Sequence, residues 1–352
     1  MREIRINTSE YRQWKARQNR KNLDRRTKRK CVKRTKRNSS YQKRAPIPEI
    51  DTTVFSAPEI FSFINNAEGT TSFFEKLTKF ITTKDTYEQR LFIDLSQIEV
   101  LTIDALMYLL AIINNIKRNN DNNYSFVGNL PKNPAIKELI SKSGFYEFVR
   151  YYGDDPIVHD ADNIQIVSND MVVTNLAKLI SDFSSVKGGL SRRTCQFLYN
   201  MMIELMSNAH NHAYNEEDSI LYPRWYCFAE HNGVENTIAF TFMDTGEGIP
   251  STVNKRFYEQ IDLLNLWGDD KYVISALKGE LRTETKKCYR GKGLPKIFEP
   301  CKKGQIKNMR IISNKADVTV SGEYISSREL PVSLKGTLFY WRIDLSELAE
   351  VV

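Results

Sequence analysis

No run of this chain is apolar enough to cross a bilayer as a helix. The longest, "ALMYLLAII" from Ala105 to Ile113, falls far short of the ~20 residues that a span requires. No apolar signal-peptide core stands near Met1. The five cysteines (Cys31, Cys195, Cys227, Cys288, Cys301) are scattered and form no C-x-x-C pair. That disfavours a zinc ribbon and points to a reducing compartment. Histidine is scarce, with four in 352 residues, and there is no H-E-x-x-H. His210 and His212 stand two apart, so on a helix they diverge, and a zinc site is disfavoured. The expectation is a cytoplasmic protein with no membrane association.

Charge is present but unevenly spread. The net charge of +8 hides two parts of opposite sign. Met1 to Arg44 carries 18 Lys/Arg against three acids, leaving 33 basic and 40 acidic residues for the rest. The stretch from Tyr11 to Arg44 has almost no aliphatic side chains and cannot build a core, so residues 1–49 are expected to be a disordered basic arm and linker, with Pro46 and Pro48 of "APIPEI" marking the linker. The run Arg25 to Arg37 holds nine Lys/Arg and no acid. It is a candidate nucleic-acid contact, weighed against a solubilising tail, a localisation signal or an acidic protein surface as its target.

A chain this long has room for two cores after the arm. Residues 50–152 alternate strand and helix: "RLFIDLSQIEVL", then "IDALMYLLAIINNIKRNN" with Leu106, Leu109, Leu110 and Ile113 on one helical face, then "YSFVGNLP", then "NPAIKELISKSGFYEFV" broken at Gly144. This order predicts an α/β unit. Residues 153–166 are polar and read as a linker. Residues 167–352 open with helical sequence through Tyr214. A hairpin follows in "RWYCFAEHNGVENTIAFTFMD", turning near Asn232-Gly233, and strands return at "MRIIS", "DVTVSGEYI" and "TLFYWRID".

Four stretches of this second region carry chemistry. In "MIELMSNAHNHAY", Glu204, Asn208 and His212 recur every four residues and share one helix face. Polar groups on a face that is otherwise apolar need partners. "FMDTGEGIP" places Asp244, Gly246 and Gly248 at a strand end, "YRGKGLPKI" places Arg290, Gly291, Lys292 and Gly293 before an apolar run, and "KGTLFYWRI" places Gly336 and Thr337 at the start of a strand. Alone, the glycine stretches read most simply as turns, where glycine supplies positive φ, and the helix face as a solvated one.

Together and in order, the four resemble the boxes of the GHKL ATP-binding fold shared by gyrase B, Hsp90, MutL, histidine kinases and anti-sigma-factor kinases. "ELMSNAHNHAY" resembles the N box, most closely that of the anti-sigma kinases. "DTGEGI" and "RGKGL" resemble the two glycine boxes, and "KGT" the last Gly-Thr element. The resemblance spans about residues 167–345 and implies a Bergerat-type α/β sandwich that binds ATP and Mg²⁺. It implies Asn208 as metal ligand, Glu204 as catalytic base and Asp244 as acceptor for the adenine amino group. Gly246, Gly248 and Thr337 would line the adenine side. Arg290, Gly291, Lys292 and Gly293 would meet the phosphates, with His212 on the same helix face. The interval between Gly248 and Gly291 is then either an ATP lid or a helical surface insertion.

Residues 50–152 are similar to a STAS domain, the fold of anti-sigma-factor antagonists, although a generic α/β unit reads as well. Phosphorylated antagonists carry Ser after the Asp that begins the helix, whereas here Asp104 is followed by Ala105. The likeness thus implies a regulatory module that docks a protein partner. The expected function is a slow Mg-dependent ATPase or nucleotide-gated switch, with homodimerisation among the options. The alternative is a serine/threonine kinase of the anti-sigma type.

Overall fold

The computed structural model describes residues 52–83, 89–118, 124–150, 162–212, 221–252, 267–280 and 293–345. All lie in the compact unit Ile50–Val352; a separate unit, Met1–Glu49, holds the basic arm and falls outside the described residues. The fold is of mixed α/β class.

The first region runs β1 (Thr52–Ser56), β2 (Ile60–Phe61), α1 (Ala67–Thr83), β3 (Gln89–Asp94), β4 (Val100–Leu101), α2 (Ile103–Arg118), β5 (Tyr124–Gly128), α3 (Pro134–Lys142) and α4 (Phe145–Arg150). Strands β1, β3 and β5 form a parallel sheet in that order, and β2 pairs with β4. Asn133 caps α3, its Oδ1 accepting from the Ala135 N–H at 2.9 Å, and Gly144 (φ +78°) separates α3 from α4. The buried Asp104 opens α2, where its carboxylate accepts the Ile64 and Ala105 N–H groups.

The second region runs β6 (Asn163–Asn169), α5 (Thr174–Gly188), α6 (Arg192–His212), β7 (Trp225–Asn232), β8 (Thr237–Asp244), α7 (Asp269–Lys278), α8 (Gly293–Lys302), β9 (Lys307–Ser321) and β10 (Tyr324–Asp344). Its five strands form an antiparallel sheet ordered β6-β7-β8-β10-β9. The expected linker already contains the start of β6. The strands expected at "MRIIS" and "DVTVSGEYI" merge into β9 and its hairpin with β10, because Asn314 takes positive φ (53°) and lets the ladder shift register rather than end. The β7–β8 turn spans four residues, with Asn232 Oδ1 accepting from the Val234 and Glu235 N–H groups.

Alternation along the strands gives this sheet two buried faces. Trp225, Cys227, Phe240, Phe242, Phe339 and Trp341 pack under α5–α8. Tyr226, Phe228, Met243, Ile312, Leu334 and Leu338 belong to the apolar cluster that contains α1, α2 and β3. The first region therefore shares a core with the far face of the second region's sheet. This arrangement explains α2, in which Ala105 to Ile113 are all buried. A helix covered on both sides is apolar all round rather than along one stripe. Among the described residues no helix is long and apolar enough to cross a membrane.

Candidate functional site

Helix α6 lays Leu198, Met202, Leu205, Met206 and Ala209 into the core under the sheet. Glu204 and Asn208 flank that stripe, half-buried and one turn apart. His212 closes the helix. His210, one of the histidines set aside above, donates through Nδ1 to the Asp170 carbonyl at 2.9 Å.

Helix α8 starts against this face. A Cβ on Gly293 would lie 3.0 Å from Glu204 Oε2 and 3.3 Å from Asn208 Nδ2. A side chain at 293 would press on the ends of both Glu204 and Asn208, and the fold thus joins two motifs 85 residues apart. One turn further, Lys296 Nζ forms an ion pair with Glu204 Oε1. Sequence reasoning missed Lys296, although its i+3 spacing from Gly293 puts both on one face of α8. Arg290, Gly291 and Lys292 lie outside the described residues.

Asp244 ends β8 in register with Trp225 on one side and Thr337 on the other. It continues the alternation of Phe240 and Phe242, so its side chain faces the α5–α8 layer. It is buried, which pushes its carboxyl up to about 7, while the N–H groups of Gly246 and Thr337 pull the other way. Gly246 donates to Asp244 Oδ1 at 2.9 Å.

Three residues that sequence reasoning missed hold this loop. Ser313 Oγ accepts the Ile249 N–H at 2.8 Å and bonds Thr337 Oγ1 at 3.0 Å. Asn314 donates to the Glu247 carbonyl at 3.0 Å, and Lys335 pairs with the Glu247 carboxylate at 2.7 Å. Gly248 (φ +86°) lies under the Asn314 amide, where a Cβ would meet Oδ1 at 2.1 Å. Thr245 Oγ1 donates to the Tyr222 carbonyl at 2.7 Å and accepts the Arg224 N–H at 3.0 Å. Hydrogen bonds thus hold the loop's backbone at Gly246, Glu247 and Ile249.

The interval after Gly248 is described only in part. Its middle forms α7, whose Val273, Ala276 and Leu277 belong to the core. Ser327 Oγ bonds Asp270 at 2.7 Å, and Asp269 accepts the Lys315 N–H at 2.9 Å. That stretch is a packed helix, while 253–266 and 281–292 lie outside the described residues. A cavity of about 240 Å³, lined by Phe74, Thr78, Tyr108, Asn314, Leu334 and Lys335 among others, borders the first region and includes none of the motif residues.

Among the described residues no cluster of three or more His, Cys, Asp or Glu offers a metal cage. What the described residues offer is one amide, one carboxylate and an ammonium beside the start of α8 and, separately, a buried carboxyl in the glycine loop that ends β8. The first group suits an anion, and the second a hydrogen-bond donor. A comparison with protein-family models found none that matches this chain, and a search of curated proteins found no match to it.

Proposed function

We propose that residues 163–345 form a GHKL-type unit that binds ATP with Mg²⁺ and works as a slow ATPase or nucleotide-gated switch. The observation that carries this reading is the approach of Gly293 to both Glu204 and Asn208. A nucleotide site of this type needs the E-x-x-x-N face and the second glycine box side by side, and local sequence does not require them to meet.

The residues present fit the group. Asn208 would hold Mg²⁺ through its amide oxygen, which suits a hard cation that keeps several waters. Bound there, Mg²⁺ would offset phosphate charge. The start of α8 would face the phosphate oxygens. Glu204 would orient a water or accept its proton. Asp244 would accept the adenine amino group, which also offsets the cost of burying its carboxyl. Gly246 would let the backbone approach the base, Gly248 admits the Asn314 amide that holds this loop, and Thr337 would support the adenine side with its bond to Ser313.

The first region fits a STAS-like regulatory module, with a parallel β1-β3-β5 sheet and helices against the sheet that carries Asp244. Asp104 is buried and is followed by Ala105, so the position after this aspartate carries no hydroxyl to phosphorylate.

Isothermal titration of the full chain with ATP, with and without Mg²⁺, tests the reading. Micromolar binding that requires Mg²⁺ is expected, and Asp244→Asn should weaken it ~10-fold or more, the scale of one lost buried hydrogen bond to a charged group. Absence of nucleotide binding by the unmodified chain would sink the proposal. Following γ-³²P then separates an ATPase, which releases free phosphate, from a kinase, which labels a protein.

A further inference from the structure

The ion pair between Glu204 and Lys296 joins two of the motif stretches in a way that the motifs themselves do not specify. Glu204 keeps 26% of its side-chain surface exposed and Lys296 keeps 59%. One carboxylate oxygen meets the Lys296 ammonium, and the other lies against the first residue of α8. The carboxylate of Glu204 thus occupies the place where a helix N-terminus and a lysine together would hold an anion.

We infer that Lys296 is a triphosphate sensor: it pairs with Glu204 in the nucleotide-free chain and transfers to the terminal phosphate when ATP binds, releasing the Glu204 oxygen. The inference rests on the ATP-binding reading and assigns a regulatory and specificity role to a residue within it.

The energetics favour such an exchange. An ion pair this exposed contributes little, because water screens it and two side chains must be ordered to make it. A triphosphate carries several negative charges against one on Glu204, so it competes well for the same ammonium. The lysine stem is long and flexible, and its head is a point charge that needs no fixed fork geometry. Position selects the terminal phosphate. A base that orients water for attack on the γ-phosphorus must sit beside it, and Lys296 touches that base. ADP lacks this group, so Lys296 distinguishes ATP from ADP. In the free chain one Glu204 oxygen is engaged by the Lys296 ammonium, and a triphosphate that draws the lysine away releases that oxygen to orient water.

The test is a titration of the full-length chain and two variants, Lys296→Met and Lys296→Arg, with ATP and with ADP in Mg²⁺. Lys296→Met should lose ~10-fold or more in ATP affinity, the scale of one charge-assisted hydrogen bond, while ADP affinity changes ~2-fold or less. Lys296→Arg, which keeps the charge, should recover most of the ATP affinity. Both variants should unfold at the wild-type urea midpoint, because the pair is exposed. If the unmodified chain binds ATP but Lys296→Met binds it equally well, or loses ATP and ADP alike, the sensor role is overturned and the ATP site stands. If the unmodified chain binds neither nucleotide, the ATP-binding reading fails and takes the sensor with it. Should Lys296→Met unfold, Lys296→Gln serves in its place.

Discussion

Arg310 grips Asp317 with two parallel hydrogen bonds, Nε to Oδ1 at 2.7 Å and Nη2 to Oδ2 at 2.6 Å. The Asp317 side chain is 3% exposed and that of Arg310 16%. The third guanidinium nitrogen donates to the Ile64 carbonyl in the first region. Arg328 adds a bond to Asp317 at 2.8 Å and reaches Glu68 at 3.2 Å. The charged cluster therefore ties β9 and β10 to the segment that leads into α1.

Removing the carboxylate leaves a largely buried guanidinium unpaired. Asp317→Ala should cost ~3–5 kcal/mol, the usual penalty for breaking a buried pair from one side. Arg328→Ala should cost under ~1 kcal/mol, since that side chain is half exposed. Urea unfolding measures both. Equal and small effects would mean that the cluster does not hold the two regions together.

Two glycines with positive φ should behave differently. Gly322 (φ +62°), in the β9–β10 turn, has nothing within 4 Å of an added Cβ, and Gly322→Ala should cost only the ~1–2 kcal/mol of a left-handed alanine. At Gly336 (φ +107°) an added Cβ would fall 2.0 Å from the Asp244 carbonyl oxygen. Backbone must move to admit it, so Gly336→Ala should lose more than ~3 kcal/mol or fail to fold. Matched midpoints for the two variants would refute the close approach.

Burial of Asp244 sets a pH dependence with a definite sign. Its carboxyl titrates at about 7 in the folded chain and at ~3.9 in an unfolded one. Between those values the unfolded chain sheds a proton that the folded chain keeps. Without nucleotide, stability should fall as pH rises from ~4 to ~7, by up to ~1.4 kcal/mol per pH unit from this group, and flatten above. Burial also raises Asp104 and Glu230, which slope the same way, so the comparison must be a difference. Asp244→Asn should flatten the profile between pH 5 and 7 relative to wild type in urea titrations. Parallel profiles would contradict the assignment.

On the proposed reading, Glu204 and Asn208 separate kinetically. Glu204→Gln should keep ATP affinity within several-fold and lower turnover by ~10²-fold or more, the scale of a positioned base. Asn208→Ala should lose the Mg²⁺ dependence of binding itself. Unchanged turnover in Glu204→Gln would leave a binding switch without an active base.

The arm is a matter of charge alone. Nine Lys/Arg between Arg25 and Arg37 should bind nucleic acid with a steep salt dependence, through released counterions. A chain beginning at Pro46 should lose that binding between ~50 and ~300 mM salt, the range over which phosphate contacts weaken most visibly. If DNA and RNA affinity survives the deletion, the contact lies elsewhere.

The sequence by itself determined what is local. Helix geometry sets the four-residue spacing of Glu204 and Asn208 on one face, and the break at Gly144, the β7–β8 hairpin and the α/β class follow from glycine placement and apolar period. Helix α1 was missed because its Phe73, Phe74 and Leu77 lie among threonines, which read equally well as loop or strand. Only the tertiary structure decided that α2 is buried all round, that Ser313, Asn314 and Lys335 clamp the Asp244 loop, and that Lys296 meets Glu204. Each of these depends on segments distant in the chain being packed together. A residue's own neighbours do not encode which face will be covered twice or which charge will arrive from 92 positions away; packing of the whole core does.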